Sequence, residues 1–244
     1  TAVAGAVYIF NDVNDIEEDR NHPEKQHRPI ASGQVSVPTA LLFASTLVVA
    51  GFGAAYLLDI AFLIILSAYA VQNILYSTHL KDIPILDVLL VAIGFVLRAI
   101  AGVVAINVFL SPWLIVCTFL LALVLAFGKR RHELAALDDI SEGRDTLKTY
   151  SKTTLDQYLS MVTAMLLMAY VLYTFFRAER AMMLTIPFAF FGVFRYHHLL
   201  RTTDIGGQPE YLFTDRLSLI NLLIWGVLTV AVLYDAHHTI LEMI

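Results

Sequence analysis

Apolar positions fall in runs of about twenty residues along nearly the whole chain, separated by short polar stretches. The runs cover approximately 1–19, 39–58, 60–79, 84–106, 112–131, 156–177, 181–199 and 217–236. At about 1.5 Å per residue, a helix of that length crosses the roughly 30 Å hydrocarbon core of a bilayer. The ten-residue apolar–polar alternation of a membrane barrel does not describe them. The pattern therefore predicts an all-α, polytopic transmembrane helix bundle with eight spans, forming a single membrane-embedded domain over 1–244. The first run has no basic segment before it and leads straight into acidic residues, unlike a signal peptide. It opens at Thr1 with no helix cap upstream, so further native sequence, including a whole helix, is expected before it.

Composition turns the pattern into a class. The 244 residues are 58% hydrophobic and 15% charged, with a mean hydropathy of +0.71. Soluble domains carry nearer a quarter charged residues, so this is an integral membrane protein with membrane lipid as its surroundings. The single cysteine, Cys117, lies mid-run, which excludes a disulfide within the chain and a cysteine metal cluster. No nucleic-acid partner is expected. The net charge of -5 says less than the placement of the cations. Arg20, Lys25, Arg28, Lys81, Lys129, Arg130, Arg131, Arg144, Lys148, Lys152, Arg201 and Arg216 fall in loops on one side, against Arg177 and Arg180 on the other. By the positive-inside rule the first side is cytosolic. Every polar cluster able to do chemistry is there, which predicts a protein of the cytoplasmic (inner) membrane with its site facing the cytosol.

The sharpest of these clusters is Asn11-Asp-Val-Asn-Asp15-Ile-Glu-Glu-Asp19-Arg20, at the end of the first run. Asn11, Asp15 and Asp19 are spaced at i, i+4 and i+8 and share one helical face, with Asp12 and Glu18 at its flanks. The stripe extends roughly 12 Å, room for one or two metal ions and a bound diphosphate. Carboxylates crowded beside a bilayer need a cation, and hard oxygen donors suit Mg2+. A solvated acidic helix end is the alternative. Against it stands the following loop, Asn21 to Gly33, in which prolines and a glycine bring Lys25 and Arg28 back toward the carboxylates. Metal on some oxygens and Arg or Lys on the rest is what a diphosphate requires.

Two further segments add candidates. Tyr76-Ser-Thr-His-Leu-Lys81 precedes an apolar run that carries Asp87 and Arg98 on one side, either as part of a site or as a buried ion pair. Gly128-Lys129-Arg130-Arg131-His132-Glu133-Leu134 ends the fifth run, with Lys129, His132 and Glu133 on one face, placed to anchor a phosphate or simply to set topology. Near the seventh run, the adjacent His197 and His198 do not share a face and do not read as a chelating pair.

Asn11-Asp12-x-x-Asp15-x-x-x-Asp19, with Arg28-Pro29-x-x-x-Gly33 after it, resembles the first signature of the UbiA superfamily of membrane transferases. The resemblance covers essentially the whole chain. It implies a nine-helix bundle whose second helix carries the motif, so this chain would start inside that helix. Prenyltransferases of the superfamily have a second acidic motif where this chain reads Lys129-Arg130-Arg131-His132-Glu133. With Tyr76, Lys81, Asp87 and Gly94-Phe95-x-x-Arg98-x-x-Ala101-Gly102, the chain is similar to the branch that makes polyprenyl-phosphate phosphoribose. What this implies is transfer of a 5-phosphoribosyl group from phosphoribosyl diphosphate to a polyprenyl (decaprenyl-like) phosphate. In that frame Asn11, Asp15 and Asp19 hold Mg2+, Asp15, Asp19 and Lys81 serve catalysis, and Arg20, Lys25, Arg28, Tyr76, Lys81, Asp87, Lys129, Arg130 and Glu133 bind substrate. The donor's second phosphate and the acceptor's phosphate explain cations where prenyltransferases keep acids. The alternatives are a prenyltransferase alkylating an aromatic or other acceptor, and a transporter with a cytosolic metal gate. The transporter fits poorly, because the polar residues cluster at one face and not at the midplane.

Overall fold

With no water in the bilayer core to satisfy the backbone, long apolar runs without alternation have to fold as helices. All regular elements among the described residues are helical. The computed structural model describes residues 2–21, 25–136, 145–176, 180–202 and 212–234. Its α-helices are α1 (Ala2–Asn14), α2 (Ile16–Asn21), α3 (Val37–Leu58), α4 (Ile60–Leu75), α5 (Leu86–Ala105), α6 (Pro112–Ala136), α7 (Asp145–Thr149), α8 (Lys152–Phe176), α9 (Ile186–Thr202) and α10 (Arg216–Leu233). A π-turn, Tyr76–Leu80, extends α4, and short 3-10 turns occupy Lys25–His27 and Arg180–Thr185.

Among the described residues, six helices are long and apolar enough to cross a membrane: Val37–Leu58, Ile60–Leu80, Leu86–Ala105, Pro112–Ala135, Lys152–Phe176 and Arg216–Leu233. Between 11% and 33% of their apolar windows is buried within the protein. The other two predicted spans coincide with the shorter α1 and α9, of 13 and 17 residues. The predicted 1–19 helix is also divided, with a turn at Asp15 between α1 and α2.

The chain forms two compact units, 1–81 with 96–110 and 82–95 with 111–244, so that α5 contributes half of its length to each. In the first unit, Asp59 joins α3 to α4. Its N–H closes α3 on the Ala55 carbonyl, and its carboxylate accepts from the N–H groups of Ala61 (2.6 Å) and Phe62 (3.3 Å) to open α4. Ser36 caps α3, its Oγ accepting the Thr39 N–H. Gly5 lies beside Leu47 and Gly51 beside Val3, so α1 and α3 run antiparallel. A Cβ on Gly51 would come within 2.6 Å of Val3, and the bare backbone there lets α1 sit close, which places the acidic stripe at its end.

The second unit is built around a core that includes Val88, Val124, Phe127, Leu155 and Leu159 from α5, α6 and α8. Gly128 of α6 is where the ring of Tyr196 from α9 comes in, too close for any side chain. Asp215 caps α10 by accepting from the Ser218 N–H (2.9 Å) and Oγ (2.8 Å). It also takes a two-pronged contact from Arg195 of α9, at 3.0 and 2.7 Å. The Arg195 guanidinium holds the Asp215 carboxyl well below the usual carboxylate range.

Candidate functional site

The predicted stripe forms in the first unit. Helical bonds from Asp15 N–H to the Asn11 carbonyl (2.9 Å) and from Asp19 N–H to the Asp15 carbonyl (2.8 Å) carry the register across the turn. The three side chains thus keep the spacing that the sequence gives them. Each meets a partner from elsewhere. Ser77 Oγ donates to Asn11 Oδ1, and Lys81 Nζ lies 2.9 Å from Asp15 Oδ1. Ser77 and Lys81 are themselves four residues apart, so the π-turn and the acidic helix match partner for partner. Closure of the π-turn is visible in the Lys81 N–H bonded to the Tyr76 carbonyl at 2.9 Å. Such turns interrupt helices at functional sites more often than elsewhere. Ser77 was not singled out from sequence; its four-residue spacing to Lys81 is the signal that could have found it.

Arg28 binds the remaining acids. Its Nη1 is 2.8 Å from Asp12 Oδ1 and 2.8 Å from Asp19 Oδ2. Asp19 is almost fully buried, at 3% side-chain exposure, whereas Arg28 keeps 40%. The loop that carries Arg28 is tied down locally. Ser32 Oγ donates to the Arg28 carbonyl (2.8 Å), Val35 N–H to Pro29 (2.9 Å), and Gly33 turns the chain at φ 79°, a left-handed geometry suited to glycine. Arg20 is directed to the loop backbone, donating to the Ala31 carbonyl at 3.2 Å, with Glu17 3.6 Å away. Tyr76 is half-buried at the start of the π-turn. The side chains of Lys25 and Glu18 lie outside the described residues, as do Asp138, Asp139 and 204–210.

A second polar cluster lies in the other unit. Asp87, in the first turn of α5, is fully buried and accepts from Arg130 Nε at 2.8 Å. Arg130, only 7% exposed, also reaches Glu133 at 2.7 Å through Nη1. The ion pair that sequence associated with Asp87 and Arg98 is therefore made by Arg130. Eleven residues along one helix separate Asp87 and Arg98 by about 16 Å, beyond direct contact. Arg98 instead sits over the ring of Tyr69, 5.7 Å from its centre. Just ahead of Asp87, Ile85 adopts φ 69°, costly for a branched side chain, and its N–H donates to Tyr150 Oη. Burial pushes the Tyr150 phenol up. Among the described residues, Asp87 Oδ1 and Thr146 Oγ1 are buried without hydrogen-bond partners. Lys129 is exposed, and Arg131 turns to Asp156 (3.1 Å) and the Leu200 carbonyl (3.2 Å). His197 bonds to Thr163 at 2.7 Å.

The stripe has the donor chemistry of a hard divalent cation, with carboxylate and amide oxygens and no nitrogen or sulfur ligands. Arg28 Nη1 already marks a position where one positive charge bridges two carboxylates. Among the described residues no three His, Cys, Asp or Glu side chains converge into a ready-made nest.

Fold and donor set together define a polytopic helical membrane protein with an oxygen-rich helix end that carries its own counter-cations. The chain belongs to the UbiA prenyltransferase family, whose model matches residues 1–223. It is therefore a membrane transferase by family. It is 30% identical over 241 residues to a decaprenyl-phosphate phosphoribosyltransferase of Corynebacterium glutamicum, covering 95% of this chain and 72% of that protein. A protein of the same name from Mycolicibacterium smegmatis is 30% identical over 248 residues, covering 95% and 77%. Among solved structures, a UbiA homolog from Archaeoglobus fulgidus bound to GPP and Mg2+ superposes with a TM-score of 0.72 at 16% identity, covering 93% of this chain and 82% of that one. That likeness establishes the fold.

Proposed function

We propose that the chain, acting as one transferase domain over 1–244, moves a 5-phosphoribosyl group from phosphoribosyl diphosphate to a polyprenyl phosphate, releasing diphosphate at the cytosolic face of the inner membrane. The observation that carries this reading is the basic end of α6, Lys129-Arg130-Arg131, in a chain with an intact acidic stripe at the end of α1. A prenyl diphosphate presents one polar group. A phosphoribosyl donor and a lipid phosphate present additional anions, and these call for cations. Relatives named for this activity, 30% identical over nearly the whole chain, support the same reading.

Asn11, Asp15 and Asp19 would hold Mg2+. When bound, the ion neutralises charge on the leaving diphosphate. Arg20, Lys25, Arg28 and Lys81 are placed in the sequence to donate to phosphate oxygens, with Lys81 also steadying the charge that develops as the bond to ribose C1 breaks. Lys129 takes a phosphate at the exposed end of α6. Arg130, locked by Asp87 and Glu133, presents its guanidinium in one fixed orientation. Tyr76 flanks the site at the membrane boundary. The acceptor phosphate is already ionised and attacks without a general base. The protein's work is to position and to stabilise charge.

The test supplies membranes containing the chain with labelled phosphoribosyl diphosphate and polyprenyl phosphate, and looks for a labelled lipid that depends on Mg2+. An alkylated aromatic product from a prenyl diphosphate would instead assign the chain to the prenyl-transferring class.

A further inference from the structure

Asp19 is nearly sealed from solvent, yet the cation that neutralises it, Arg28, is 40% exposed and sits on a loop. A carboxylate buried to that degree needs a positive partner at all times. The same Arg28 nitrogen serves Asp12, so the two acceptor oxygens lie no farther apart than two hydrogen-bond lengths, with Nη1 filling the space between them. An ion bridging those oxygens and the guanidinium cannot occupy that space together.

We propose that Arg28 is an exchangeable counter-ion: it neutralises Asp12 and Asp19 in the metal-free protein, and an arriving divalent cation displaces it. The step adds Asp12 to the groups that meet the metal. It also turns Arg28 from a carboxylate partner into a free donor at the moment the site becomes able to take a diphosphate. A diphosphate arriving without metal meets an arginine whose charge is already compensated by two carboxylates. Metal and anion then bind in mutual support, because the first releases a ligand for the second. The exposure of Arg28 permits this exchange; Arg130, at 7%, has no such route out. The inference rests on the reading that the acidic stripe takes Mg2+.

Mn2+ binding to the whole chain in nanodiscs, followed by the paramagnetic signal of the free ion and with no substrate present, tests both claims separately. Arg28→Gln should tighten Mn2+ binding by about tenfold, the scale of removing one competing unit charge at close range. Unchanged or weaker binding in Arg28→Gln, with the wild type binding normally, overturns the exchange and leaves the metal reading standing. No Mn2+ binding by either protein overturns both. A second measurement needs no variant. Phenylglyoxal modification of Arg28 in the wild-type chain, mapped by mass spectrometry, should accelerate when Mg2+ is added, while the exposed Arg180 stays constant. A rate at Arg28 that holds or falls overturns the exchange however the variant folds.

Discussion

The acidic end of α1–α2 and the Asp87–Arg130–Glu133 cluster hold the same kinds of charge but in opposite settings. In the first, cations of intermediate exposure meet acids whose burial ranges from 3% exposed at Asp19 to 30% at Asp12. In the second, the aspartate is fully buried and its arginine nearly so. A pair whose cation reaches solvent can trade partners, because water and ions compensate each group as it leaves. A sealed pair cannot, because either group left alone pays the full desolvation penalty. Charge identity alone does not distinguish the two settings; exposure of the counter-ion does.

The largest effect should come from breaking the sealed pair. Arg130→Met strands Asp87 and should cost about 3–5 kcal/mol, read as a lowered melting temperature in detergent. Asp87→Leu combined with Arg130→Met should recover most of that loss, since an apolar pair of similar volume leaves no buried charge stranded and Glu133, which also loses Arg130, keeps 29% exposure to water. If stability returns while turnover does not, the guanidinium has a role beyond packing. At the exchangeable cluster the order of effects should reverse. Asp15→Asn and Asp19→Asn should each reduce Mg2+-dependent turnover at least about a hundredfold, the scale of losing one electrostatic stabiliser. Turnover in Asp19→Asn equal to the wild type would remove the stripe from the chemistry. A smaller effect is expected at Lys129, which is exposed and free to change without disturbing the core. Lys129→Ala should raise KM for the donor or the lipid phosphate about tenfold, the value of one charge-assisted hydrogen bond, with the melting temperature unchanged.

This contrast also explains what was legible in the sequence. The stripe could be read because Asn11, Asp15 and Asp19 lie within one helix, where spacing alone fixes the face. The helical class followed equally directly from the length of the apolar runs. The partners of the charges were harder, since they come from distant segments: Arg28 to Asp12 and Asp19, Ser77 to Asn11, and Arg130 to Asp87 across 43 positions. Arg98 shows the pitfall. Shared helical side suggested an association with Asp87, but rise along the axis keeps the two apart, and a neighbouring helix supplies the arginine. The break at Asp15 was equally hidden, because the four-residue bonds on either side preserve the pattern that predicted a continuous helix.

The smallest effect should be seen at the Arg195–Asp215 pair, which combines well-formed geometry with partial exposure and so separates geometry from burial. Side-chain exposures of 24% and 19% put it close to the Lys81–Asp15 pair, at 18% and 22%, and away from the sealed cluster. Asp215 has a folded-state pKa depressed chiefly by its hydrogen bonds from Arg195, with those from Ser218 adding to the effect. A depressed acid contributes stability above its unfolded value, near 3.9, and loses that contribution as pH falls toward the folded value. The melting temperature of the wild type should therefore decline below about pH 4 more steeply than that of Asp215→Asn, which has no carboxylate to protonate. Near neutral pH the same substitution weakens the cap of α10 and the two-pronged contact with Arg195, so the two curves should lie farthest apart there and converge in acid. Because the pair is solvated, added salt should shrink the gap. A gap that persists unchanged in high salt would show that this pair behaves like the sealed cluster, and would make geometry rather than exposure the property that decides which charges are locked.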